Sequence, residues 1–112
     1  MLDINSEADK SLAKTGYEIV FHHPKEKKPL PCVSFYNLSE QGSFSADNAE
    51  AIQTGRVQVD IWSRKPQECG QMAIKINDVM VNDGWTRELS MDVPDDSEVY
   101  HRTMRFSKIF NL

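Results

Sequence analysis

The second half of the chain alternates apolar and polar residues in a pattern typical of strands with one buried face. In residues 56–63, the aliphatic positions 57, 59 and 61 alternate with polar residues and with Trp62. Residues 101–110 alternate in the same way, and Met104 and Phe106 fall on the apolar side. We therefore predict two strands that each turn one side towards a core.

A helical pattern lies between these strands. Pro66 suits the first turn of a helix, and Gly84 stands where a left-handed terminating residue belongs. Between them, apolar residues recur at steps of three and four, which predicts a long helix with one buried side: Cys69, Met72, Ala73, Ile76, Val79 and Met80.

Residues 86–93 predict a further strand, which is followed by a turn at residues 94–97. We expect its apolar residues Leu89, Met91 and Val93 to face the core. Ile76 is then expected to pack on an aliphatic sheet face made of Val57, Val59, Ile61, Leu89, Met91, Met104 and Phe106.

The first half begins with a short helix that we expect to be capped near Asn5 and to end at Gly16. Residues 17–21 and 32–36 predict two strands, joined as a hairpin through a charged loop with a basic tip.

Residues 37–55 show no sustained period in their first half and predict a long exposed connection. The connection is expected either to hold a short helical turn at residues 46–52 or to become ordered against a partner. We expect residues 41–48 to be mobile in the isolated chain, since Phe44 is their one apolar anchor.

These elements predict an α+β fold of order α-β-β-β-α-β-β, with a mostly antiparallel sheet and the long helix on one face. The 112 residues are enough for one core, so residues 1–112 are expected to form a single domain. A net charge of −4 argues against a protein held to nucleic acid mainly through phosphate contacts. No apolar run is long enough to cross a bilayer and no signal peptide is evident, so a cytoplasmic, soluble product is expected.

Residues with reactive side chains do not assemble a convincing catalytic or metal site. His22 and His23 are adjacent and would point to opposite sides of a strand, so neither a shared metal nor any cofactor is predicted. Cys69 and His101 are a conceivable nucleophile and base, but Cys69 lies on the apolar side of the helix, as a small hydrophobe does. Buried thiols are favoured over a disulfide between Cys32 and Cys69.

The second face of the predicted sheet carries polar residues and an indole. A tryptophan at such a place gives up a large gain from burial unless another surface covers it, so we expect Trp62 to be an exposed interface anchor. The alternative is that a loop of the same chain covers it. The residues expected on this face are Tyr36, Asp60, Trp62, Glu88, Asp92, His101, Thr103 and Arg105.

The strand at residues 56–64 (RVQVDIWSR), the helix after it and the closing strand HRTMRFSKIF resemble the tail-terminator and tail-completion (head-to-tail joining) proteins of long-tailed bacteriophages and prophages. The resemblance implies a structural protein, not an enzyme. It implies a hexameric ring that caps the tail tube and joins it to the head connector, placed in the virion after assembly in the host cytoplasm. DNA would pass through the ring without sequence-specific contacts.

The interface residues we predict on this basis are Glu40, Phe44, Asp60, Trp62 and Arg105. Two alternatives from other classes remain. One is a monomeric module that binds a protein or peptide, distinguished by the absence of rings. The other is an enzyme that uses Cys69 and His101, distinguished by a thiol that reacts readily in the folded state.

Overall fold

Two helices and five strands make up the computed structural model, which describes residues 1–21, 30–44, 50–94 and 98–112. The predicted α+β class and the order α-β-β-β-α-β-β are confirmed. The elements are α1 (Ile4–Ala13), β1 (Ile19–Phe21), β2 (Cys32–Phe44), β3 (Glu50–Ser63), α2 (Pro66–Asn82), β4 (Thr86–Val93) and β5 (Tyr100–Asn111).

The strands form one sheet in the order β1-β2-β3-β5-β4. Three of the four pairings are antiparallel, as predicted, whereas β1 and β2 are parallel. The predicted hairpin between β1 and β2 is therefore wrong, because parallel neighbours cannot be joined by a tight turn. The parallel register sets Ile19 beside Val33, and both contribute to the core under α1. The charged loop predicted between these strands lies outside the described residues.

Both helices pack on the same face of the sheet and enclose the main core. The predicted apolar side of α2 is buried at Cys69, Met72, Ala73, Ile76 and Met80, and Ile76 is fully inaccessible. The sheet contributes mainly Val33, Phe35, Val57, Val59, Ile61, Met104 and Phe106 to this core.

The first helix starts earlier than predicted. Asp3 caps it, since the Asp3 carboxylate accepts hydrogen bonds from the backbone N–H groups of Asn5 and Ser6. The helix thus begins at Ile4, which is buried against the sheet, whereas a cap at Asn5 would have left Ile4 outside the helix. Gly16 adopts a φ of 78° beyond the helix end, in keeping with its predicted role as terminator.

The long connection predicted at residues 37–55 is mostly strand. The second strand continues to Phe44, and the third begins at Glu50 and pairs with it, so the two form a long hairpin. Polar residues occupy both sides of this hairpin, so its sequence lacks the alternation of a half-buried strand. The predicted helical turn is wrong for residues 50–52, which are in strand β3. Residues 41–44, expected to be mobile, belong to β2, and residues 45–49 lie outside the described part of the chain.

A β-bulge in β4 reverses the side that its apolar residues face. The register shifts between Arg87 and Leu89, so that Leu89 pairs with Arg105 and Met91 pairs with Thr103. These side chains therefore face away from the helices, and Met91 is 47% exposed.

The predicted positions of Leu89, Met91 and Val93 in the core are thus wrong, and so is the position of Asp92 on the other face. Asp92 pairs with Arg102 on the helix side, because the extra residue at the bulge shifts everything after it to the opposite side.

Candidate functional site

The sheet face turned away from the helices, here called the outer face, is built from alternate residues of β2, β3, β5 and β4. Cross-strand pairs align these residues in rows. The first row is Cys32, Trp62, His101 and Val93; the second is Ser34, Asp60, Thr103 and Met91; the third is Tyr36, Gln58, Arg105 and Leu89.

Asp60 is the centre of this face and is only 4% exposed. His101 Nε2 lies 2.8 Å from Asp60 Oδ1, and Thr103 Oγ1 donates to the same oxygen. Gln58 Nε2 donates to both carboxylate oxygens at 3.2 and 3.3 Å. Burial alone raises the pKa of Asp60, but the hydrogen bonds from His101, Thr103 and Gln58 together outweigh it and leave the pKa of the carboxyl below its ordinary value. The site therefore holds a buried carboxylate surrounded by donors.

Trp62 is part of the same cluster. Its indole stacks on the His101 imidazole with ring centroids 3.7 Å apart and an angle of 13° between planes, and its Nε1 donates to Ser34 Oγ at 3.0 Å. The side chain lies outside the main core, as predicted, but it is only 8% exposed. The expectation of an exposed indole is therefore wrong, because stacking and a hydrogen bond already bury the ring within the chain.

Arg105 lies on the outer face next to this cluster and is exposed. Its Nε donates to Gln58 Oε1 at 3.1 Å, and Gln58 in turn donates to Asp60. The three side chains thus form a chain of hydrogen bonds from the buried carboxylate to a solvent-facing guanidinium. The structure brings together three of the predicted interface residues, Asp60, Trp62 and Arg105.

The two remaining predicted interface residues lie on the long hairpin, away from this cluster. Glu40 is exposed, and its Oε2 accepts from Gln53 Nε2 at 3.0 Å. Gln53 also accepts from the backbone N–H of Leu2 and donates to the Leu2 carbonyl, so it fastens the N-terminal segment to the hairpin. Phe44 is the last residue of β2, and its side chain lies outside the described part of the molecule. Glu40 is six residues from Ser34 along β2, or about 20 Å in an extended strand.

Two participants in the cluster were missed from the sequence. Gln58 and Ser34 contact Asp60 and Trp62 through their side chains. The signal for Gln58 was its place two residues before Asp60 on the same side of β3. No sequence pattern marked Ser34 as part of the cluster. Its contact with Trp62 depends on the register between β2 and β3, which cannot be read from the sequence at polar positions.

Cys69 and His101 do not come together. Cys69 is buried in the core on the helix side, whereas His101 lies on the outer face beside Trp62. Burial raises the pKa of the Cys69 thiol, and the charge of Asp92 raises it further. Both cysteines are buried, as predicted.

Within the described residues, no group of three or more His, Cys, Asp or Glu side chains converges to hold a metal ion. His22 and His23 lie outside those residues. None of the helices in the described ranges is both long and apolar enough to traverse a membrane.

Comparison with known proteins gives a structural likeness but no family. No protein-family model matches the chain, and no curated protein matches its sequence. Among solved structures, the chain is similar to the gp17 protein of bacteriophage SPP1, with a TM-score of 0.55 and 12% sequence identity. The alignment covers 97% of this chain and 93% of that one. At this identity the likeness shows that the two chains share a fold across nearly their whole lengths.

Proposed function

We propose that this protein is a structural subunit of a bacteriophage or prophage particle that caps the tail tube and joins it to the head connector as a hexameric ring. The observation that supports the proposal is the common fold with the bacteriophage SPP1 gp17 protein over nearly all of both chains. The strand and helix order on which the sequence resemblance depends is the order of the structure. The protein would act in the virion, at the junction of head and tail.

The long hairpin is the surface we assign to the tail-tube protein. It carries Glu40 and ends at Phe44, and it pairs with the end of β5. Exposed aliphatic side chains lie along these paired strands: Ile109 is 63% exposed, and Leu38 and Ile52 are each 37% exposed. Apolar side chains at the centre of a contact supply much of its binding energy, while polar residues at its rim fix its orientation. Glu40 lies on the other side of the hairpin from Ile52 and Ile109, beside Gln53.

The outer face is the surface we assign to the ring lumen or to an adjoining subunit. Arg105 is exposed there, while Asp60 and Trp62 hold the strands beneath it in place. The net charge of −4 suits a conduit that DNA traverses without being gripped, since tight phosphate binding needs a basic surface.

The test is to purify the full chain and the tail-tube protein encoded by the same genome. The mass of the chain alone and of the mixture is measured by light scattering, and tube ends are viewed by negative-stain electron microscopy. The proposal expects rings at the tube ends and tubes that stop growing. A chain that remains monomeric and leaves tube growth unchanged overturns it and favours a monomeric binding module.

Two variants sharpen this test. Ile109→Glu places a charge on the surface assigned to the tail tube and is expected to abolish tube binding. Val81→Glu makes the same kind of change on α2, at a side chain that is 50% exposed, and should bind normally. Equal loss in both variants would show that the hairpin is not the docking surface.

A further inference from the structure

Two grooves of opposite charge lie at opposite edges of the sheet, both on the helix side. One lies where α2 crosses β4 and β5, and its volume is about 440 Å³. The other lies where α1 crosses β1 and β2, and its volume is about 430 Å³. Because β4 and β1 are the two edge strands, the grooves face away from each other across the molecule.

The groove at the β4 edge, the arginine groove, is cationic and partly apolar. Its lining includes Ala73, Ile74, Arg87, Ser90, Arg102 and Met104. Arg87 Nη1 donates to the neutral Asn77 Oδ1 at 3.3 Å. Arg102 donates to Ser90 and meets Asp92 at 3.3 Å, but the Asp92 side chain is 83% exposed, so solvent weakens that ion pair. Ile74 stands at the rim and is 65% exposed.

The groove at the β1 edge, the acidic groove, has the complementary character. Its lining is Asp3, Asn5, Ser6, Asp9, Ile19 and Phe35. Among the described residues, this lining contains two carboxylates and no basic side chain. The Asp3 carboxylate accepts hydrogen bonds from the backbone N–H groups of Asn5 and Ser6 in α1. Asn5 Oδ1 is buried without a donor within the described part of the chain, which leaves an unsatisfied acceptor at this edge.

We infer that the arginine groove of one copy of this chain receives the acidic groove edge of a second copy. Arg87 and Arg102 would meet Asp3 and Asp9, and the exposed Ile74 would pack near the half-buried Ile19. Opposite charges on two different surfaces favour contact between unlike edges and oppose contact between like edges, because two arginine grooves or two acidic grooves would repel.

Contact between unlike edges is heterologous and repeats in one direction around the assembly. Such contacts generate closed rings when the rotation between copies closes, and filaments when it does not. The edge-to-edge contact itself is argued from the two grooves, and only its closure into a hexamer rests on the proposed function.

Charge exchange between two variants tests this contact. Arg87→Glu should weaken self-association of the full chain at least about tenfold, and so should Asp9→Arg, because each puts like charges across every contact. Mixed in equal amounts, the two variants should recover the wild-type mass, since copies that alternate around an even-numbered ring again pair opposite charges at every contact. Asp9 is used instead of Asp3, because Asp3 caps α1.

Matched controls make the same charge changes outside both grooves. Arg64 and Asp78 are exposed and line neither groove. The variants Arg64→Glu and Asp78→Arg should therefore both assemble as the wild type does. Sedimentation across a range of protein and salt concentrations gives the association constants, and circular dichroism checks that each variant is folded. Added salt should weaken the wild-type assembly, because it screens exposed charges.

The inference is overturned if the chain is monomeric at all concentrations, if the controls lose association equally, or if the mixture fails to recover. The proposed function is judged separately by binding to tail-tube ends. A chain that binds tube ends without these charge effects would retain that function but lose this contact. If the chain assembles with these charge effects but does not bind tube ends, the contact between copies is supported and the proposed function is rejected.

Discussion

Ile4 packs directly on Gly55 where the first helix meets the sheet. A Cβ atom at position 55 would lie 2.7 Å from Ile4 Cδ1 and 2.8 Å from Ile4 Cγ2. Ile4 is 1% exposed, so its side chain has little space into which it can move. The closeness of α1 to β3 therefore depends on the absence of a side chain at Gly55.

Gly55→Ala is expected to destabilise the protein by about 1 to 3 kcal/mol, because the new methyl group overpacks the contact with Ile4. Urea unfolding followed by circular dichroism measures the change. Gly70→Ala is the matched control, since nothing lies within 4 Å of a Cβ at that position in α2. The control should be neutral or gain up to about 1 kcal/mol from better helix propensity. If both variants behave alike, Ile4 is not confined by Gly55.

Ile76→Ala should cost about 2 to 5 kcal/mol, because it removes a fully buried side chain from the core between α2 and the sheet. Ile74→Ala, two residues earlier on the same helix, should change the free energy of unfolding by less than about 0.5 kcal/mol, since Ile74 is largely exposed. Both values come from denaturant unfolding at a concentration where the chain is monomeric. Similar losses in the two variants would mean that the register of α2 differs from that described.

The sequence was sufficient for elements in which periodicity and burial agree. The apolar residues of α2 recur at helical spacing and Val57, Val59 and Ile61 of β3 alternate as a strand face does, so these patterns predicted both the element and the side turned to the core. The bulge before Leu89 was not predictable in this way, since one extra residue leaves the alternation of Leu89, Met91 and Val93 intact and only changes the side they face.

The long hairpin and the burial of the outer face could not be predicted from local sequence patterns, because both form through contacts between distant parts of the chain. Residues 39–43 carry no apolar side chain on either side, and backbone pairing with β3 makes them a strand. Trp62 was correctly separated from the main core, but its burial depends on His101 and Ser34, which lie on two other strands. The choice of these partners is a property of strand register, which a single sequence specifies only weakly at polar positions.

Trp62→Ala is expected to destabilise the isolated chain by about 3 to 5 kcal/mol, because the indole is buried and stacked. Ser34→Ala removes only the acceptor of the indole N–H and should cost about 1 to 3 kcal/mol. Thermal and urea unfolding of both variants measure these losses. An unfolding midpoint unchanged in Trp62→Ala would mean that the indole contributes to assembly and not to folding, as the sequence first suggested.

Protonation of Asp60 at low pH is expected to lower the stability of the folded protein. Hydrogen bonds from His101, Thr103 and Gln58 outweigh the effect of burial and hold the pKa of Asp60 below its ordinary value of 3.8 in the folded state. The unfolded chain binds the proton more readily than the folded one, so the ionised carboxylate stabilises the fold in full above that ordinary value. This contribution is lost as the pH falls through the lower pKa of the folded state.

The free energy of unfolding of the wild type should therefore decline towards that of Asp60→Asn as the pH is lowered below about 4. The difference in stability between the two proteins should be largest above about pH 4. Thr103→Val is the informative second variant, because it removes one donor to the carboxylate and should move the decline to higher pH. Carbon-13 NMR of the Asp60 carboxyl group follows the same titration directly. A carboxyl that titrates at or above 3.8 in the folded protein would show that burial, not the donors around it, dominates this site.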